Sequence, residues 1–470
     1  MMQYGMFVLI FCAVIFLPAD AQQNEEYLDI GEQLLHKGLV EEGAYTILDK
    51  LLEVGPRFAG TPQKAAAVEL THQMLNDIGL DNVWLEPVTV PRWVRSEIEE
   101  AKIAGSQRIG EERLTIAALG GSIATPEQGI TAPVVEVHSF DELEELGDSV
   151  EGKIVFFNRP MDRRLVNTFA AYSGAVNQRS RGAAEAAKFG AQGVLVRSLT
   201  LRIDDYPHTG GMRYQDGVPK IPAASISTKG AELLSETLKY EEVVDVYMRF
   251  TPEMRDSVQT YNVIGEITGS QYPDDIILIG AHLDSWDITS GAHDDGAGVA
   301  QVIQGIKLLH ELELRPKRTI RCVLFANEEF GISGGFAYAG SEKRYDEEHL
   351  VAIETDRGGF LPLGFTVDNE DEVVEYFQRY TYLFEPLGMH QIIQGFGGVD
   401  IIPLREQGTI AMGLLPDSQR YFDLHHSAKD TLETVNPREL ELGAVAIALF
   451  AYVLAEDGLP RFIHEEYLSN

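Results

Sequence analysis

The segment Thr319-Ile320-Arg321-Cys322-Val323-Leu324-Phe325-Ala326 is apolar over the length of a buried strand and runs directly into the turn Asn327-Glu328-Glu329-Phe330-Gly331. Three more apolar runs are of strand length, Tyr261 to Ile267, Asp275 to Ala281 and Leu350 to Glu354. Helix-like segments such as Gly298 to Leu309 alternate with them. Near-continuous apolar strands separated by helices imply strands covered on both faces. The fold class expected is therefore α/β, a mostly parallel mixed sheet covered by helices. Cys322, inside the central run, reads as a small buried thiol rather than a nucleophile or ligand.

Upstream, Asp29 to Val54 and Pro62 to Ile78 are helix-like, the second with Met74, Leu75 and Ile78 on one face and Gly79 as its stop. Gly55-Pro56-Arg57-Phe58-Ala59-Gly60 forms the turn between them. Val83 to Val90 alternates as a strand, and Pro91-Arg92-Trp93 closes this section. From about Ile98 to Thr251 the texture changes to short β-rich runs, Val134 to Val137, Lys153 to Phe157 and Gly193 to Arg197, between Gly- and Pro-rich turns, with a short helix over Ala183 to Phe189. A chain of 470 residues exceeds one ordinary core. The expected division is a signal peptide at 1–21, one part of the main domain at 22–97, an inserted β-rich domain at 98–251, and the rest of the main domain at 252–470. At the C-terminal end Asn436 is an N-cap, Pro437 opens the first turn and Glu439 occupies the third position of a helix that covers the sheet through Leu454.

The balance of 73 acidic and 38 basic residues, a formal charge of -35, repels nucleic acid and anionic membranes. No nucleic-acid partner is expected. Phe7 to Leu17 is an apolar run too short to span a bilayer comfortably, and it ends at Pro18 before Ala19-Asp20-Ala21. It reads as a cleavable export signal, which implies a secreted or periplasmic protein with no stable membrane partner; an uncleaved anchor is the alternative. Cleavage after Ala21 removes Cys12 and leaves Cys322 alone, so no internal disulfide can form.

Ligands of open α/β sheets bind beyond the carboxyl ends of the strands. Acids and histidines gather at such positions here. Ala281-His282-Leu283-Asp284 places an aspartate where it can orient a metal-binding histidine. Gly291-Ala292-His293-Asp294-Asp295-Gly296-Ala297-Gly298 leads into a helix through small residues that admit close backbone approach. An aspartate there is equally able to be an ordinary N-cap. Glu328 and Glu329 follow the strongest strand, so that one carboxylate can bind metal while the other handles a proton. Glu354-Thr355-Asp356 and Leu424-His425-His426-Ser427-Ala428-Lys429-Asp430-Thr431 complete the set. Two histidines among several carboxylates suit zinc better than magnesium or calcium.

Together these motifs resemble the M28 family of zinc exopeptidases, in its carboxypeptidase Q branch. The resemblance spans nearly the whole mature chain and includes the Gly55-Pro56-Arg57 turn, the Glu86-Pro87-Val88 strand, the central insert and the His426 to Thr431 run. It implies the zinc exopeptidase fold with a protease-associated-like insert. It also implies two zinc ions per subunit, with His282, Glu329, Asp356 and His426 as terminal ligands and Asp294 bridging. Asp284 and Asp295 would support that shell, and the Asp294-Asp295 peptide bond would be cis. Glu328 matches the family's catalytic base, acting on the water shared by the metals. Tyr421 and His425 are substrate-side candidates, and Arg357, Arg405 and Arg420 are candidates for a substrate carboxylate.

Near Gly398-Val399-Asp400-Ile401 the chain carries Ile401 where many aminopeptidase members carry histidine, a departure that favours the carboxypeptidase Q branch. The expected substrates are dipeptides or short peptides with unblocked ends, and the protein partner to look for is a second copy, in a homodimer. The alternatives are an aminopeptidase or a single-zinc glutaminyl cyclase of the same fold, and a non-catalytic receptor-like binding protein.

Overall fold

A computed structural model describes residues 19–95 and 97–460. The apolar run Phe7 to Leu17, and with it most of the expected signal segment, lies outside the described residues. Among the described residues no helix is long and apolar enough to cross a membrane.

The strands, from the N-terminus, are β1 (Asn82–Val94), β2 (Glu99–Ser106), β3 (Gly110–Leu114), β4 (Ile116–Ala118), β5 (Ile130–Val137), β6 (Ile154–Phe157), β7 (Gly193–Arg197), β8 (Ala223–Ile226) and β9 (Asp245–Phe250). They continue with β10 (Glu253–Ile267), β11 (Tyr272–His282), β12 (Arg318–Phe325), β13 (Glu348–Glu354), β14 (Pro362–Val367), β15 (Gln391–Gln394) and β16 (Ile410–Pro416). One sheet has the order β1-β10-β12-β11-β13-β16-β14-β15, and the other β3-β2-β9-β5-β6-β7-β8-β4.

In the first sheet β12, β11, β13 and β16 run parallel at the centre, while β1 and β10 form an antiparallel ribbon at one edge. The central strands are apolar on both faces because helices cover both. Ile277, Ile279, Ile320, Cys322, Leu324, Val351 and Ile353 pack with Val299, Ile303 and Ile306 of the helix Ala297–Glu311 and with the helix Pro437–Asp457. Ile276, Leu278, Val323 and Ala352 point to the opposite layer with Tyr338 and Leu404. Asn436 caps the last helix as expected, its side-chain oxygen accepting from the amides of Arg438 and Glu439. Burial pushes the Cys322 thiol up in pKa, which suits the inert role read from its position.

Two local expectations are corrected. Asp29 to Val54 is not one helix but two, Ala19–Glu41 and Gly43–Leu52, broken where Glu42 takes a left-handed backbone with φ 46°. The break allows the second helix to pack on Ala297–Glu311, against which Gly43 sits so closely that a Cβ would meet the Gln304 amide at 2.4 Å. The strand begun at Val83 does not close at Pro91; it shifts register between Val90 and Arg92 and continues to Val94, where Val94 pairs with Glu253. Proline fits because it lies where the ladder is already irregular on an edge strand.

The second sheet uses strands between Glu99 and Phe250, with the helices Phe140–Leu146, Thr168–Ser173, Asn177–Ser180, Gly182–Ala187 and Thr228–Leu238 interleaved. It touches the main unit where it matters for the site. The Thr209 amide donates to the His426 carbonyl, His208 Nδ1 lies 2.7 Å from the His425 carbonyl, and Thr168 bonds Ser418.

Candidate metal centre

His282 ends β11, Glu328 and Glu329 follow β12, Asp356 lies two residues beyond β13, and Asp294 lies in the loop before the helix Ala297–Glu311. Parallel strands in register bring these ends together, and the loop of His425 and His426 closes on them. Asp294 is the centre of the arrangement. Its Oδ1 lies 3.3 Å from Nε2 of His282, and its Oδ2 lies 3.3 Å from Nε2 of His426. Asp356 Oδ1 is 3.4 Å from the same nitrogen of His282, and Glu329 Oε2 is 3.0 Å from that of His426. Asp294 thus presents one oxygen to each of two half-sites. The Asp294-Asp295 peptide bond is cis, the geometry the resemblance implies.

These residues fit a metal. His282 Nε2, Asp294 Oδ2, Glu329 Oε1 and Asp356 Oδ1 are buried yet lack a hydrogen-bond partner. Buried polar atoms without partners are costly, and here they converge. Among the described residues, the ligand atoms of His282, Asp294 and Asp356, and those of Asp294, His425 and His426, lie within 4.8 Å of one another. His425 stands in the second grouping, where its ring stacks on His426 at 3.5 Å, while Glu329 approaches His426 separately. Electrostatics point the same way. Burial opposes charge on His426, but Glu329 and Asp294 outweigh it and raise its pKa to about 9. His282 is likewise buried, and Asp356 and Asp294 push it well above the usual imidazole range. So much converging negative charge calls for a cation.

The surrounding bonds hold the donors in place. His282 Nδ1 faces the Asp284 carbonyl at 3.1 Å, which leaves Nε2 as the free lone pair. The Asp284 carboxylate, 3.9 Å from that ring nitrogen, instead accepts the amides of Asn327, Glu328 and Glu329. It therefore orients the glutamate turn more than the histidine. Asp295 accepts from the His282 amide through Oδ2 and from the Gly298 amide through Oδ1. Gly298 is required there, since a Cβ would lie 2.3 Å from Asp295 Oδ1 and 2.1 Å from the Thr355 carbonyl. Asn327 and His426 both adopt left-handed backbone, with φ 63° and 60°. Such conformations persist where the surroundings over-determine them, as the Asp284 and Thr209 bonds do here.

Glu328 lines a cavity of about 530 Å³ that also borders Asp294, Asp356, His425 and His426. Burial pushes its carboxyl well above the normal range, and Asp356 and Glu329 add to the push. Tyr421 lines the same cavity, stacked on Phe169 at 5.4 Å. Burial drives the pKa of His425 well down, so it is a neutral ring. Of the three arginines, only Arg357 lines the cavity. It donates to the Phe396 carbonyl and Thr366 Oγ1, and lies 5.7 Å from the Phe169 ring centre. Arg405 pairs with Asp368 at 3.2 Å and Arg420 with Glu439 at 3.3 Å, and neither borders the cavity.

Several supporting residues escaped the sequence. The Asp430 carboxylate accepts the amides of His293 and Asp294, fixing the bridging aspartate. Buried Arg57 donates to the carbonyls of Leu283, Ser290 and Gly291, tying together the loop after β11. Glu354 accepts the amides of Val399 and Ile401, so it shapes the Gly398-Val399-Asp400-Ile401 loop rather than reaching the cluster. Arg57, Asp430 and Glu354 all lie in segments already singled out, and those segments were their signal. His293 turns away to stack on Phe360 at 4.2 Å.

The chain is similar to known proteins over most of its length. Residues 262–451 match the model of peptidase family M28. The chain is 37% identical to carboxypeptidase Q of Bos taurus over 446 residues, covering 94% of this chain and 92% of that protein. The crystal structure of a peptidase M28 precursor from Shewanella amazonensis superposes with a TM-score of 0.87 at 38% identity, over 93% of this chain and 98% of that one. A zinc aminopeptidase from Bacillus subtilis, 20% identical, shares the fold with a TM-score of 0.64 over 89% of this chain and 96% of its own.

Proposed function

The chain belongs to peptidase family M28 and is a zinc metallopeptidase, and on that premise we propose a di-zinc exopeptidase that hydrolyses dipeptides and short peptides with unblocked ends. The observation that carries the proposal is Asp294, whose two oxygens face two different histidines while Glu328 fronts the cavity beside them. His282 and Asp356 would hold one ion, and His426 and Glu329 the other, with Asp294 shared. Glu329 is preferred to His425 for the second ion because its oxygen lies nearer to His426 Nε2 than His425 Nε2 lies to Asp294 Oδ2, 3.0 against 3.8 Å.

Zinc supplies Lewis acidity, which lowers the pKa of water and polarises a carbonyl. The chain's own residues do the rest. Glu328 takes a proton from the attacking water as its oxygen bonds to the carbonyl carbon, then returns that proton to the amine nitrogen as the C–N bond breaks. A carboxyl raised in pKa by burial suits a group that must both accept and release a proton near neutral pH. Asp284 holds Glu328 in place through its amide. Arg357, the one candidate arginine on the cavity wall, meets the free carboxylate of the substrate. The cavity of about 530 Å³ suits a short peptide and limits longer ones.

The apolar run Phe7 to Leu17 supports export to a secreted or periplasmic location with no membrane partner, and the strand content of residues 99–250 supports their division from the main domain as an inserted unit. A second copy of the chain remains the expected protein partner.

The test is hydrolysis of free, N-blocked and C-blocked dipeptides by zinc-loaded protein, beside Glu328→Gln, with zinc measured on both. Expected are cleavage of free dipeptides, two zinc ions per chain, and a loss of at least about a hundredfold in the variant at unchanged zinc. Protein that carries two zinc ions and cleaves no peptide would overturn the proposal.

A further inference from the structure

One wall of the catalytic cavity is formed by the unit of the second sheet. Tyr172, from the helix Thr168–Ser173, lines the cavity together with Glu328, His425 and His426. Its ring stands edge-on to His425 at 5.3 Å and stacks on Phe422 at 4.6 Å, which fixes its position. The phenolic oxygen accepts a hydrogen bond of 2.6 Å from Nη2 of Arg179.

Arg179 is unusual. It is buried, and among the described residues it forms no ion pair. Its Nη1 donates to the Thr209 carbonyl at 3.2 Å and lies 3.4 Å from Nδ1 of His426. The backbone makes room for it: Gly210 has φ 141°, and a Cβ there would lie 2.4–2.6 Å from the guanidinium. Burying a guanidinium without an acid is costly, so its role lies in what it does to its neighbours.

A phenol has one hydrogen to donate and two lone pairs, whereas a guanidinium only donates. Arg179 therefore occupies a lone pair of Tyr172 and cannot take its proton. Among the described residues no acceptor faces that proton, and the ring fronts the cavity. Burial pushes the phenol up in pKa, Arg179 works against that, and Glu329 and Asp294 add to it, so the hydroxyl stays protonated.

We infer that Tyr172 donates its phenolic hydrogen to the scissile carbonyl oxygen as that oxygen gains charge, with Arg179 as the positioning residue that aims it. This rests on the cavity being the site of peptide hydrolysis. Tyr172 is then a catalytic residue supplied by the second-sheet unit, and that unit completes the active site rather than merely shielding it.

The experiment compares wild type, Tyr172→Phe, Arg179→Ala and the double variant in kcat and KM on a free dipeptide, with zinc content and unfolding midpoint measured. Affinity for a phosphinic dipeptide analogue, a mimic of the tetrahedral state, is read by calorimetry. Tyr172→Phe keeps the stacked ring and should fold. The expected result is a kcat lower by about a hundredfold with KM little changed, and a similar factor lost in analogue affinity. Arg179→Ala should lower kcat in the wild-type background and add little in the Tyr172→Phe background, since both act through one hydroxyl. Tyr172→Phe turning over within about threefold of wild type would overturn the inference, as would full analogue affinity. An Arg179→Ala loss undiminished in the Tyr172→Phe background would overturn the positioning role. Absence of cleavage by zinc-loaded wild type would instead sink the peptidase proposal itself.

Discussion

Two clusters of buried charge sit on the same sheet and are built on opposite principles. At one, Arg321 of β12 donates through Nε to Glu266 at 2.8 Å and through both Nη atoms to Glu347 at 2.6 and 2.9 Å, while Nη1 also meets Tyr338. Arg344 pairs with Glu86, and Tyr338 is 2.9 Å from His349. Each cation there has its acid. At the carboxyl ends of β11, β12 and β13, the cluster around Asp294 instead gathers more carboxylates than its two paired histidines, His282 and His426, can balance, and leaves convergent buried atoms without hydrogen bonds. The first cluster is closed and needs nothing from outside. The second is complete only with positive charge from a ligand, and that asymmetry separates a structural charge network from a metal site more sharply than the number of acids does.

The comparison can be broken most severely by removing the metal. Chelation should abolish turnover. In metal-free protein, the raised carboxyls should also make stability fall with rising pH. Burial and Asp356 raise Glu354 to about 7, and burial and Asp294 raise Asp430 to about 7, both above their unfolded values. Between about pH 4 and 7 the unfolded chain ionises these groups while the fold resists, so the stabilisation present below the unfolded pKa is lost as pH rises through the folded one. Unfolding midpoints from about pH 4 to 8, with and without zinc, check this; the same slope in both forms would mean that the cluster needs no cation.

A smaller effect is expected at the closed cluster. Arg321→Met strands Glu266 and Glu347 and should cost about 3–5 kcal/mol in denaturant unfolding, with kcat and zinc content of the folded fraction unchanged. Altered zinc content would show that the two clusters are coupled. The smallest effect belongs to Arg405, whose pair with Asp368 is half-exposed. Arg405→Ala should change stability by less than about 1 kcal/mol and leave KM unchanged, while a rise in KM would move carboxylate recognition away from Arg357.

Legibility followed chain locality. The strand ends at His282, Glu328 and Glu329 and Asp356 were visible because an apolar run that stops at an acid or a histidine is a local pattern. So was the cap at Asn436. The split at Glu42 was not, because a one-residue left-handed break answers to packing against Gln304, which is remote in the chain. Among the candidate arginines, sequence had no means of choosing Arg357 over Arg405 and Arg420, because proximity to a cavity is not written into neighbouring residues.

By itself, the sequence determined the α/β class, the acidic surface, the order of the strand ends and the residue types able to bind zinc and move a proton, all of which follow from periodicity and side-chain chemistry. Only the tertiary structure decided that Asp294 offers its two oxygens to two different histidines, that the Asp284 carboxylate clamps the glutamate turn, and that Tyr172 of the second-sheet unit, bonded by Arg179, stands at the same cavity. Those relations depend on angles and distances between segments remote in the chain, and a hydrogen bond lost or gained over a few tenths of an ångström is decided by packing.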